Sequence, residues 1–189
     1  MRVIQSKLLQ KISDSTSGIV NPANLISFSR PAIAFYGLEY YSDDPLKLTL
    51  AVSLAFLTDF ADGNVARATR VNNSNGAYVD IFSDRALELM VMWHYAGQDL
   101  ISGAIPLTFT IKGLIVDSTR LYRDFVKRNF TNPLKYGGNE NRLERGLYGG
   151  LKCLFLSGVP ILDKGLTHTL GVLTTLMGVY RGSRAIINK

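Results

Sequence analysis

Six stretches of the chain, at roughly 24–41, 45–66, 77–97, 100–117, 146–162 and 166–180, are rich in Leu, Ile, Val, Phe, Ala and Gly, with polar breaks between them. Several approach the ~20 residues a helix needs to cross a bilayer, and the last two are shorter and interrupted by polar residues. The pattern predicts an all-α fold, an integral membrane bundle of six transmembrane helices. Asn21-Pro22-Ala23-Asn24 breaks the chain before the first helix, with Asn24 as its N-cap. Pro31 falls early in that helix, where a missing amide donor does least harm. Ser42-Asp43-Asp44-Pro45 is a turn into the second helix. Val71 to Gly76 is a tight polar turn that makes helices two and three an antiparallel hairpin. Ahead of the first span, Val3, Ile4, Leu8, Leu9 and Ile12 recur at helical spacing opposite Lys7 and Lys11, predicting a short interfacial helix within residues 1–20. Nothing marks a second domain, so residues 1–189 read as one membrane domain.

Mean hydropathy of +0.11 is modest for such a protein and decides nothing alone. The net charge of +6 admits nucleic acid as a partner. The distribution of the basic residues does not favour it. Most of them fall in segments 1–23, 68–75, 118–142 and 181–189, whereas 39–47, 98–103 and 163–167 hold only Lys47 and Lys164 beside five acids. This is the asymmetry of a multi-pass inner- or plasma-membrane protein with both termini in the cytoplasm. The excess charge serves topology and anionic membrane lipid, so no nucleic acid is expected. Arg30, Arg70, Arg181 and Arg184 read as topology determinants. The single cysteine, Cys153, excludes an internal disulfide and fits no zinc pattern.

The chemistry is concentrated between Asp59 and Asp84. Asp59 and Asp62 are three apart and Asp80 and Asp84 four apart, so each pair shares a helix face. Acids at membrane depth are costly unless something cationic pairs with them. Two facing pairs form a site for divalent metal ions, which points to chemistry on phosphates. Glu88 continues the Asp80–Asp84 stripe by one turn and reads as a structural polar contact, and Lys112 in helix four requires a partner inside the bundle.

The full run Asp59-x-x-Asp62-Gly63-x-x-Ala66-Arg67, eight residues, Gly76, three residues, Asp80, three residues, Asp84 resembles the signature of the CDP-alcohol phosphotransferase family at every fixed position. The entry Asn21-Pro22-Ala23-Asn24-Leu25-Ile26-Ser27-Phe28-Ser29-Arg30 looks like that of its phosphatidylglycerophosphate and cardiolipin synthase branches. The resemblance implies a homodimeric transferase of phospholipid biosynthesis. It would move a phosphatidyl group from a CDP-lipid such as CDP-diacylglycerol to an alcohol hydroxyl and release CMP. It also implies two Mg²⁺ or Mn²⁺ ions held by Asp59, Asp62, Asp80 and Asp84, with Asp84 the catalytic base. Oxygen donors suit those ions, and a metal pair ~4 Å apart can polarise a pyrophosphate and stabilise its leaving group. Gly63, Ala66 and Gly76 lack bulk, and the resemblance puts the CDP moiety there beside Asp62. Arg67 can bridge phosphate oxygens through its planar fork.

The acceptor is glycerol 3-phosphate on this branch, with inositol phosphate, another polar alcohol or an archaeal ether CDP-lipid donor as alternatives. A phosphorylated acceptor needs fixed cations, for which Arg120, Arg123, Lys127, Lys135, Arg142 and Arg145 are the candidates. The chain lacks the Arg-Glu pair of the glycerophosphate branch near the end of helix four, reading Asp117-Ser118-Thr119-Arg120 instead. A reading from another class is a divalent-cation transporter using the four aspartates. Arg67 beside the path would repel its cargo.

Overall fold

Pro22 opens the first helix because a first-turn residue has no amide hydrogen bond to lose and proline's fixed φ is already helical. In the computed structural model, which describes residues 22–69, 74–127 and 142–187, six helices follow in order and no strand occurs among the described residues. They are α1 (Pro22–Tyr40), α2 (Pro45–Thr69), α3 (Ser74–Gly97), α4 (Ala104–Lys127), α5 (Arg142–Gly158) and α6 (Lys164–Ile187). Each of the six apolar stretches falls largely within one helix, with ends shifted by several residues. Asn24 lies inside α1 and is buried rather than capping it. The interfacial helix expected within 1–20 lies outside the described residues.

The helix ends follow local chemistry. Asp44 accepts the Lys47 amide at 3.1 Å, capping α2, with Pro45 at its first position. Lys47 also holds the exposed Asp44 carboxyl below its ordinary pKa, through its side-chain hydrogen bond first and its amide second. Asp163 caps α6 by accepting the amides of Gly165 at 2.8 Å and Leu166 at 3.1 Å. α3 closes in a Schellman turn. Leu100 donates to the Tyr95 carbonyl at 2.9 Å and Asp99 to that of Ala96 at 3.1 Å. Asp99 takes the left-handed conformation the motif demands, at φ 55°.

α2 packs mainly on α1 and α5, and α3 on α1, α4 and α5; α6 lies against α4 and α5. The two helices read as a hairpin are thus both organised by α1, which carries Arg30 towards α3. A Cβ on Gly37 would lie 2.6 Å from the Ala51 Cβ, so α1 and α2 approach as closely as a missing side chain permits. Gly37→Val is expected to cost about 1–3 kcal/mol through overpacking, read as a lower melting temperature in a thermal unfolding series. An unchanged melting temperature would show that the contact can relax.

The apolar core comes from one half of the bundle: Ala34 and Leu38 of α1, Leu48 and Val52 of α2, Leu87, Val91 and Met92 of α3, Phe109 of α4, and Phe155 and Leu156 of α5. The other half holds buried charge: Arg30 is 0% exposed and Glu88 3%. The outer surface is the reverse, with Leu25, Leu46, Leu57, Phe82, Leu114 and Leu176 each more than half exposed. No described helix is long and apolar enough to cross a membrane. That departs from the expectation of six individually spanning helices, and the cause is visible: α3 alone carries Asp80, Asp84, Arg85 and Glu88, and α5, at 17 residues, carries Lys152.

Candidate active site

The site grows from one face of α3. Asp80, Asp84 and Glu88 recur every four residues and stack along it. Arg30 reaches them from α1. It donates from Nη2 to Asp80 Oδ1 at 2.8 Å and from Nη1 to Asp84 Oδ1. This corrects the reading of Arg30 as a topology determinant at the membrane surface: it is wholly buried and supplies the counter-charge to two motif aspartates. Both carboxylates remain more than a third exposed, and the second Asp84 oxygen carries no hydrogen bond among the described residues.

One turn further, Glu88 accepts from Lys152 of α5 at 2.5 Å and from Arg85 Nη1 at 2.8 Å. Arg85 Nε in turn donates to Asp117 of α4 at 2.8 Å. The alternation of charge along Lys152, Glu88, Arg85 and Asp117 ties three helices together and leaves neither Glu88 oxygen bare. Glu88 therefore does more than the single polar contact expected of it. Lys112 finds its partner in Tyr148, whose hydroxyl is 3.0 Å from Nζ. At the far end of α5, Arg184 of α6 pairs with Glu144 at 3.1 Å.

Two cavities meet at this network. A cavity of about 360 Å³ is bounded by Arg85, Lys112, Lys152 and Arg181, with Tyr148 in its wall and Asp80, Asp84 and Glu88 on its α3 side. A second, of about 820 Å³, runs between α2, α3 and α5 past Phe56, Leu57, Leu87 and Leu154, and Arg30 lines it. Asp84, Gly149 and Lys152 line both. Asp84 thus stands where a basic chamber and a largely apolar groove open on one another. Cys153 and Ser157 face the groove, their side chains 3.9 Å apart.

The remaining motif residues are placed by backbone alone. Asp59, Asp62, Gly63, Ala66 and Arg67 lie on the last turns of α2, and Gly76 on the first turn of α3. Their side-chain positions lie outside the described residues. Among the described residues no three His, Cys, Asp or Glu groups gather as metal ligands. The donor set nevertheless fits a hard divalent cation, since Asp80 and Asp84 present accessible carboxylate oxygens one turn apart. Of the acceptor candidates, Arg120, Arg123 and Lys127 sit on the last turns of α4 and Arg142 and Arg145 on the first turn of α5. Their side chains, and Lys135 entirely, are outside the described residues.

The basic groups that line the chamber are others: Arg85, Lys112, Lys152 and Arg181. Three of them are legible in sequence, since a charge within an apolar helix faces the bundle interior and marks function, and Arg85 and Lys152, like Lys112, sit amid Leu, Phe and Ala. Arg181, read from sequence as a topology determinant, lines the chamber instead.

A family model described as CDP-alcohol phosphatidyltransferase matches residues 20–178. No curated protein matches the chain.

Proposed function

The chain belongs to the CDP-alcohol phosphatidyltransferase family, whose reaction is transfer of a phosphatidyl group from a CDP-alcohol to an alcohol acceptor, and we propose that its acceptor is a phosphorylated alcohol, with glycerol 3-phosphate the foremost candidate and inositol phosphate the next. The observation that carries this reading is the meeting of a basic chamber and an apolar groove at Asp84. The groove suits the lipid part of a CDP-lipid such as CDP-diacylglycerol, and the chamber suits an anionic acceptor. Their junction is where a hydroxyl must meet the phosphorus.

In this mechanism Asp84 takes the acceptor's hydroxyl proton through its unbonded oxygen. The hydroxyl oxygen bonds to the lipid-linked phosphorus as the bond to CMP breaks. Arg30 keeps the Asp84 carboxylate oriented. Lys152, shared by both cavities, offers positive charge to phosphoryl oxygens on either side. Asp59, Asp62, Asp80 and Asp84 are the residues to hold Mg²⁺ or Mn²⁺, which when bound neutralises the pyrophosphate and stabilises the leaving CMP. Gly63, Ala66, Arg67 and Gly76 take the CDP moiety.

The same reading makes the protein a homodimeric membrane enzyme of phospholipid biosynthesis with its active site on the cytoplasmic side. Its support is the inside-out distribution of polarity: large apolar side chains outward, charge inward. Helices that bury charge against one another need not each pass a hydropathy threshold to live in lipid. A cation-transport function is disfavoured by the groove that opens at Asp84, which Phe56, Leu57, Leu87 and Leu154 make largely apolar and so a poor path for an ion.

The test uses purified protein in lipid vesicles with CDP-diacylglycerol, Mg²⁺ and a panel of alcohols. CMP release is expected with glycerol 3-phosphate or inositol phosphate, little with glycerol or inositol, and none after EDTA until Mg²⁺ is restored. Absence of CMP with every acceptor would sink the transferase reading. Release with unphosphorylated alcohols alone would overturn the acceptor assignment.

A further inference from the structure

One aromatic ring touches three of the four cations that line the basic chamber. The Tyr148 hydroxyl is 3.0 Å from Lys112 Nζ. Arg181 Cζ lies 4.5 Å from the ring centroid, Lys112 Nζ 5.3 Å and Lys152 Nζ 5.9 Å. Tyr148 is itself only 8% exposed, so the ring is held by its surroundings.

Three positive groups this close repel one another, and something must keep them together. Lys152 has Glu88, but Lys112 has no carboxylate within ion-pair distance among the described residues. A carboxylate in place of the ring would gather the cations by cancelling them, and the chamber would lose its attraction for an anion. An aromatic face and a hydroxyl gather them without adding a negative charge. Opposite, α6 is cut away to admit the pair: a Cβ on Gly178 would lie 2.9 Å from Lys112 Nζ and 3.1 Å from the Tyr148 hydroxyl. The nearest of those atoms is the far end of a flexible chain. An added methyl therefore displaces the ammonium rather than the helix.

We infer that Tyr148 is a positioning residue which, with the space left by Gly178, holds Lys112 and Arg181 as a preformed receptor for the phosphate monoester of the acceptor. The inference rests on the phosphorylated-acceptor reading above.

The experiment compares wild type, Tyr148→Phe, Tyr148→Leu and Gly178→Ala. Inorganic phosphate binding is followed by titration calorimetry, and KM is measured separately for glycerol 3-phosphate and CDP-diacylglycerol. Tyr148→Phe keeps the ring and loses one hydrogen bond, so phosphate is expected to bind about fivefold more weakly. Tyr148→Leu, which also loses the cation contacts, is expected to weaken it by about 50-fold or more. Gly178→Ala is expected to weaken phosphate binding while the melting temperature stays within a few degrees of wild type, because Ala's preference for a helix interior offsets the crowding of Tyr148. A purely structural role would move stability and binding the same way. In each variant the loss should fall on the acceptor KM more than on the donor KM.

Wild-type phosphate affinity in both Tyr148→Phe and Gly178→Ala, or equal rises in the two KM values, would overturn the inference. Phosphate binding that is lost in the variants, from a wild type that releases no CMP, would support it and sink the transferase reading instead. CMP release to unphosphorylated alcohols with no phosphate binding would do the opposite.

Discussion

Asp84→Asn is expected to lower CMP release by about 10²–10⁴-fold, the usual contribution of a positioned general base. The substitution is a clean one at this position. An asparagine carbonyl oxygen can still accept from Arg30, so the α1–α3 contact and the melting temperature should be nearly kept. What is lost is the ability to take a proton. Binding of a CDP compound, followed by calorimetry, should remain within a few-fold of wild type, since the side chain keeps its size in the groove wall and the α2 motif is untouched. Asp80→Asn provides the contrast. Asp80 serves the metal alone in this reading, so that variant should regain part of its rate as Mg²⁺ is raised, whereas Asp84→Asn, which lacks the base as well as a metal-holding oxygen, should stay low. Turnover near the wild-type level in Asp84→Asn would remove it from the base role.

The second large effect is on stability. Glu88→Leu is expected to destabilise the protein by about 3–5 kcal/mol, because it leaves the Lys152 ammonium and one arm of Arg85 buried without their counter-charge. Arg85 keeps Asp117, so the heavier penalty falls on Lys152. Glu88→Gln should cost less, since its amide oxygen still accepts one of the two bonds. The decisive comparison is the pair Glu88→Leu with Lys152→Met. Removing both charges should recover part of the loss, and thermal unfolding of the two singles and the double gives the coupling directly. Additive losses would mean that the 2.5 Å contact between them carries no energy of its own.

Much of this arrangement is legible in the amino-acid order. The six helices follow from apolar stretches between polar turns. The fixed spacings from Asp59 to Asp84 carry the family, as the match over residues 20–178 bears out. Arg30 is harder to read, because its partners lie 50 and 54 residues downstream. It sits midway along α1, with Pro31 beside it inside the helix rather than early in it, and only packing of α1 against α3 gives it a role. Lys112 is legible as a cation in need of a partner but not as Tyr148's, since a phenol 36 residues away leaves no local trace. The chamber's cations are missed for a related reason. Sequence counts charge where it is dense, between Arg120 and Arg145, whereas a buried site uses isolated charges on α3, α4, α5 and α6 that meet only when the bundle closes. The hairpin reading of α2 and α3 turns on residues 70–73, which lie outside the described residues, and what the bundle adds is α1 packed against both helices.

Arg30 also bears on how the chain is made. Asp84 leaves the ribosome 54 residues after Arg30, a delay on the order of 3–10 s at ordinary elongation rates of about 5–20 residues per second. For that interval α1 holds a guanidinium whose two aspartates do not yet exist. The tight contact of Gly37 with Ala51 can form earlier, once α2 has emerged, and gives α1 a companion while it waits. Arrival of α3 then brings two carboxylates at once. Closure of Arg30 on Asp80 and Asp84 and completion of the first three helices are then a single step in the birth of the protein, so a chain arrested before Asp80 should present α1 to quality control as an unfinished helix.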